Sequence, residues 1–122
     1  MERRARLVNR TMAQEVPESS NHLSYQKLVY AEFDGPDLSI TSVDISGEHR
    51  PLRTDASTRA YYILSGDFIF TIEGEMPISA SDGDVVIIYR SSAYGFVGNG
   101  RYLVINGPAF QEGDDQYRMR DL

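Results

Sequence analysis

The sequence predicts an all-β domain, a barrel or a sandwich, and three observations predict it. Apolar and β-branched residues alternate in short runs, the signature of half-buried strands. The runs recur at roughly 8–12-residue spacing with glycine- or aspartate-bearing turns between them. No long segment carries a helical period. The chain of 122 residues suits one compact unit. That length buries a real core, so folding needs no disulfide or metal staple.

The elements follow in order. Residues 1–24 are polar, with a loop signal at Pro17–Asn21, and are expected to form an N-terminal arm or edge strand. Residues 25–110 form the body. Lys27–Phe33 and Leu38–Ile45 read as strands separated by a turn at Asp34–Asp37. Tyr61–Leu64 runs into Ser65–Asp67, after which Phe68, Phe70 and Ile72 share one face at period two. Glu73–Gly74 is a hairpin candidate. Asp82–Asp84 is a turn feeding the strand Val85–Tyr89. Gly98–Gly100 is a strong hairpin signal, with Arg101–Asn106 as the next strand and Gly107–Pro108 as the end of the sheet. Residues 111–122 are polar and charged, a short helix or a tail.

Composition excludes several classes. A formal net charge of −6 argues against a general nucleic-acid binder, which carries a basic footprint. Absence of cysteine excludes a disulfide scaffold, a thiol nucleophile and thiolate-bound metal. His22 and His49 are the only histidines, so no three-histidine metal site forms within one chain. The basic start Met1–Arg10 lacks the apolar stretch of a signal peptide, and Val85–Ile88, the longest aliphatic run, is too short to span a bilayer. The expectation is a soluble cytoplasmic protein without membrane partners.

One segment resembles a known family. Gly47 is followed after five residues by Arg53, then by Asp55, Arg59 and Gly66, which matches every interval of the first cupin motif, G-x5-H-x-H-x3-E-x6-G. Gly83, Tyr94 and, one place late, Asn99 resemble the second motif, G-x5-P-x-G-x2-H-x3-N, with Tyr89 and Ser91 where Pro and Gly usually stand. Val104–Phe110 is similar to the last strand of small one-domain cupins. The resemblance implies a single cupin-type β-barrel, a double-stranded β-helix or jelly roll, and commonly a homodimer. It also places Arg53, Asp55, Arg59 and Tyr94 at the positions from which relatives hold a metal ion.

The two arginines cannot do that work. Arginine stays protonated and offers only N–H donors. On the cupin frame, Arg53, Asp55, Arg59 and Tyr94 are expected to converge inside one end of the barrel, with Tyr61 in phase with Arg59. Arginine forks match carboxylate or phosphate oxygens. The expectation is a site without metal or other cofactor that binds a small organic anion. Arg53, Arg59 and Tyr61 would bind it. Tyr94 and Asp55 would act as acid or base, with Tyr94 drawn toward phenolate by the arginines.

Two function classes follow. The first is a metal-independent isomerase, lyase or cyclase. The second is a non-catalytic sensor or carrier, since losing the catalytic centre is also how a fold becomes a binder. Plainer readings stand beside both. Arg53, Asp55 and Arg59 fit an ion-pair network at the barrel rim, and Tyr94 a core-edge tyrosine. Tyr61, Phe68, Phe70 and Ile72 fit barrel packing. His49, with Glu48 and Asp55, is a weak metal-site pattern. His22 fits an exposed loop, and Asp114–Asp115 a solvated face. An exposed N-terminal strand is also suited to pairing across a two-fold axis.

Overall fold

The computed structural model describes residues 3–117. Eight strands run β1 Glu15–Glu18, β2 Leu23–Val29, β3 Ser39–Thr54, β4 Thr58–Ile72, β5 Ile78–Ser81, β6 Val85–Ile88, β7 Ala93–Gly107 and β8 Asp115–Tyr117. All pairings are antiparallel. The order is β1-β2-β3-β7-β4-β5, with β6 also on β4 and β8 also on β3. The fold is all-β, as the alternation predicts, and no described helix is long and apolar enough to cross a membrane.

Three long strands, β3, β7 and β4, form the spine, and their inward faces make the core. Tyr61, Ile63, Phe68, Phe70, Tyr94, Phe96 and Tyr102 are buried there with Val43, Ile45 and Leu52. Tyr61 packs against Phe70, Phe96 and Tyr102 with ring centroids 5.2–5.3 Å apart, the tilted and edge-on contacts aromatic rings favour. The shared face of Phe68 and Phe70 is therefore core packing.

Several local expectations are corrected. Gly98–Gly100 is not a hairpin but the middle of β7, in register with β3 on one side and β4 on the other. The glycines serve close approach. Gly100 faces Gly66, and a Cβ on Gly66 would lie 1.9 Å from the Asn99 carbonyl oxygen. Lys27–Phe33 is not one strand. β2 ends at Val29, and Ala31–Asp34 form a single helical turn capped by Gly35. Asp34 holds that turn in place by accepting from Arg6 and from the Tyr30 N–H. Residues 111–117 are neither helix nor free tail. They turn back so that β8 pairs with Leu52–Thr54 of β3. Residues 118–122 of the expected tail lie outside the described residues. At the other end, β1 is an edge strand paired to β2 within the same chain.

One irregularity decides which side chains enter the barrel. On β3, His49 faces Phe96 of β7, but the next paired residue is Leu52, opposite Tyr94. Three steps on β3 match two on β7, a β-bulge at Arg50–Pro51. Before it, odd-numbered Val43, Ile45 and His49 point inward. After it, even-numbered Leu52 and Thr54 do.

Candidate functional site

The bulge sends Arg53 outward. Arg53 and Asp55 pair with each other at 2.8 Å on the surface, each side chain more than two-fifths exposed. The expected convergence of four residues inside the barrel is therefore corrected to two, Arg59 and Tyr94. Hydrogen bonding to Arg53 holds the Asp55 carboxyl below its usual range, so it is an ordinary surface carboxylate rather than a poised acid. The phase of β4 is unbroken from Arg59 to Ile63, and it delivers Arg59 and Tyr61 inward together.

Arg59 is the centre of the interior polar network. Its Nε donates to Asn106 Oδ1 at 3.0 Å, and its Nη1 to the Tyr94 hydroxyl at 3.1 Å. Its Nη2 donates to Asp115 Oδ1 at 2.7 Å, with Nη1 also 3.5 Å from Asp115 Oδ2. Burial opposes its charge, but the neighbouring Tyr94, Tyr61 and Asp115 outweigh burial and keep it firmly cationic. Asp115 is thus an ion-pair partner in the barrel wall, not the solvated face its acidic run suggests.

Tyr94 and Tyr61 share a hydrogen bond of 2.5 Å. Burial raises both phenols, and Arg59 does not overcome it, so the expected phenolate at Tyr94 is corrected to a neutral phenol. Either hydroxyl can donate in that bond. When Arg59 donates to Tyr94 and Tyr94 to Tyr61, Tyr61 keeps its own O–H to offer to the cavity.

A cavity of about 380 Å³ opens beside this network. Arg59, Tyr61, Tyr102 and Asn106 line it, with Glu18, Tyr25 and Lys27. Phe110, Glu112, Asp115 and Tyr117 of the returning C-terminal segment line it as well. Tyr94 is not in the lining; it lies behind Tyr61 and Arg59. Asn21, fully buried, braces the wall. It donates to Glu18 at 2.7 Å and accepts from the Arg50 backbone N–H at 2.9 Å.

His49 lines the same cavity. It stacks on Phe96 with centroids 4.8 Å apart. Its Nδ1 lies 3.0 Å from the Arg50 carbonyl oxygen. A carbonyl only accepts, so Nδ1 carries the proton and Nε2 keeps its lone pair. Burial lowers the imidazole pKa, so the ring is neutral near pH 7. The weak metal pattern with Glu48 and Asp55 is corrected, because both carboxylates lie on the exposed side. Among the described residues, no three His, Asp or Glu side chains cluster where a metal ion would be held. His22 is exposed, as its loop setting predicts.

The sequence pattern brings Arg59, Tyr61 and Tyr94 together but misses His49 and Asp115. The parity of His49 with Val43 and Ile45 was a usable signal. Asp115 had none, because only the long-range pairing of β8 with β3 carries it inward.

No protein-family model matches the chain, and no curated protein does. Solved structures match its fold. Streptomyces PAC13, a tyrosine-to-phenylalanine variant with uridine, superposes with a TM-score of 0.80 at 16% identity over 93% of this chain and 90% of that one. Pac13 is described as a nucleoside dehydratase. The polyketide cyclase RemF from Streptomyces resistomycificus gives 0.76 at 19% identity, covering 96% of this chain and 87% of its own. An RmlC-like cupin from Shewanella frigidimarina gives 0.70 at 14% identity, over 84% and 89%. The fold is shared with these small cupin-type structures.

Proposed function

We propose that this chain is a metal-independent cupin-type enzyme of the lyase, isomerase or cyclase kind, and that dehydration of a small polar substrate is the reaction its cavity suits best. One observation carries the reading. A neutral histidine with a free Nε2 and a tyrosine hydroxyl fed by a buried guanidinium line the same cavity. They make a base and an acid held apart in state by their surroundings.

His49 Nε2 takes a proton from a carbon activated by a neighbouring carbonyl. The C–H electron pair becomes the new double bond, a hydroxyl on the adjacent carbon leaves, and Tyr61 supplies the proton that makes it water. His49 then releases its proton to solvent and Tyr61 regains one from solvent, which restores both groups and leaves water as the only by-product. With no leaving hydroxyl, the same pair moves a proton and isomerises, or protonates an enolate formed on ring closure. Likeness to a nucleoside dehydratase and a polyketide cyclase supports this class of chemistry. The two-arginine anion clamp is left with Arg59 alone, since Arg53 faces solvent.

Turnover is tested on a panel of β-hydroxy carbonyl compounds, with loss of water read by mass spectrometry, and uridine serves as a binding probe. His49→Gln and Tyr61→Phe are each expected to cut turnover by about 10²–10⁴-fold with the fold intact. Saturable binding of a panel member with no turnover by the wild type would instead make the chain a sensor or carrier.

A further inference from the structure

We infer that Asp115 selects the charge of the ligand: the cavity accepts an uncharged polar molecule and turns away carboxylates and phosphates. This rests on reading the cavity as the substrate site. The reason lies in the guanidinium edges. An anion is gripped by two parallel N–H groups along one edge. Asp115 spans the edge formed by Nη1 and Nη2, and Asn106 has taken the Nε proton of the other. Tyr94 occupies the remaining Nη1 proton. Neither edge of Arg59 has two free donors.

The rest of the lining agrees. Its ionisable groups besides the tyrosines and His49 are Glu18, Glu112 and Asp115 against Lys27 and Arg59, three carboxylates to two cations. Lys27 and Glu112 are both exposed and largely screened by water, which leaves Glu18 and Asp115 against Arg59. An incoming anion would have to displace Asp115 and leave two like charges beside each other in a wall largely shielded from water, which is costly. An uncharged molecule meets no such barrier. Its hydroxyls and carbonyls find the Tyr61 O–H, His49 Nε2 and the free carboxylate lone pairs. Asp115 reaches this place from the three-residue strand β8, so a short terminal segment decides what the barrel admits.

The test compares benzoate with its uncharged analogue benzamide by calorimetric titration of the wild type, Asp115→Asn and Asp115→Ser. Both variants remove the Asp115 charge, and Asp115→Ser also vacates the Arg59 edge, so benzoate is expected to tighten by about tenfold or more in the serine variant and by less in Asp115→Asn, whose amide oxygen still accepts from Nη2, while benzamide affinity moves little. Adding Arg59→Gln to Asp115→Asn should remove the gain. Benzoate binding to the wild type that Arg59→Gln abolishes would overturn the proposal, and so would unchanged benzoate affinity in both Asp115 variants. If the asparagine variant fails to fold, the serine variant and the wild-type measurement still decide. The readout needs no turnover, so its failure is separate from failure of the enzymatic reading, which the activities of the His49 and Tyr61 variants test.

Discussion

Two arginine–aspartate pairs stand a few residues apart in this chain and have different consequences. Arg53 and Asp55 share one strand end and meet in water. Arg59 meets Asp115 across 56 residues of sequence, with Arg59 almost wholly buried and Asp115 17% exposed. The separations are alike, 2.8 and 2.7 Å. Surroundings make the difference. In water, side-chain entropy and screening cancel most of the attraction. In the wall, removing one partner strands a charge or a set of donors. The proposed chemistry is attached to the second pair because Tyr94 and Tyr61 hang from it.

Arg59→Ala attacks the contrast most strongly. It leaves Asp115 without its cation and deprives Tyr94 and Asn106 of a donor. Denaturant unfolding should show a loss of about 3–5 kcal/mol. A loss as small as that of a surface pair would place the two pairs in one class and undo the comparison.

Tyr94→Phe sharpens it next. The ring stays and the core remains filled, but the hydroxyl linking Arg59 to Tyr61 is gone. Stability should fall by about 1–3 kcal/mol, because a buried Arg59 donor loses its partner. Turnover should fall by about tenfold to a hundredfold, less than in Tyr61→Phe, since Tyr61 keeps its own proton but loses the polarising chain. An equal loss in the two variants would make Tyr94 the direct proton donor.

Proton linkage gives a smaller effect. Burial depresses the His49 pKa below the ordinary 6.5, so between the two values the unfolded chain binds the proton and the folded chain does not. Stability from this residue is complete above about pH 6.5 and declines as pH falls toward the folded pKa. Thermal melts from pH 8 down to about 5 should show that slope, and His49→Gln should flatten it. The acid limb of turnover should likewise have its midpoint below 6.5. A midpoint above that value would mean a charged, solvated imidazole.

How much of this was legible beforehand depends on the range of the interaction that decides each feature. Period-two alternation follows from backbone geometry, so the strand face of Arg59, Tyr61 and Ile63 was readable, and so was the turn at Asp82–Gly83. Spacing against the cupin motif gave the fold. It failed at Arg53, because motif intervals carry no information about a bulge, and Arg50–Pro51 reverses the phase between His49 and Leu52. Gly98–Gly100 misled because glycine serves both tight turns and close strand approach, and only the facing Gly66 distinguishes them. Asp115 was illegible, since its position follows from pairing with a strand 61 residues earlier in the chain, Thr54 being its register partner at β3.

The smallest effect is the most direct check on the opening contrast. Asp55→Asn removes the surface ion pair while leaving a side chain of similar shape that still accepts from Arg53. Both groups are open to solvent, and water replaces what the substitution removes. The melting temperature at moderate salt should match that of the wild type, and turnover should not change. The carboxyl is held below its usual range by Arg53, so whatever the pair contributes is present above the ordinary carboxylate pKa and fades only in strong acid. Raising the salt should erase any residual difference. A marked loss of turnover in Asp55→Asn with an unchanged melt would show that the rim pair takes part in catalysis, and the burial of the Arg59 pair would no longer separate the two.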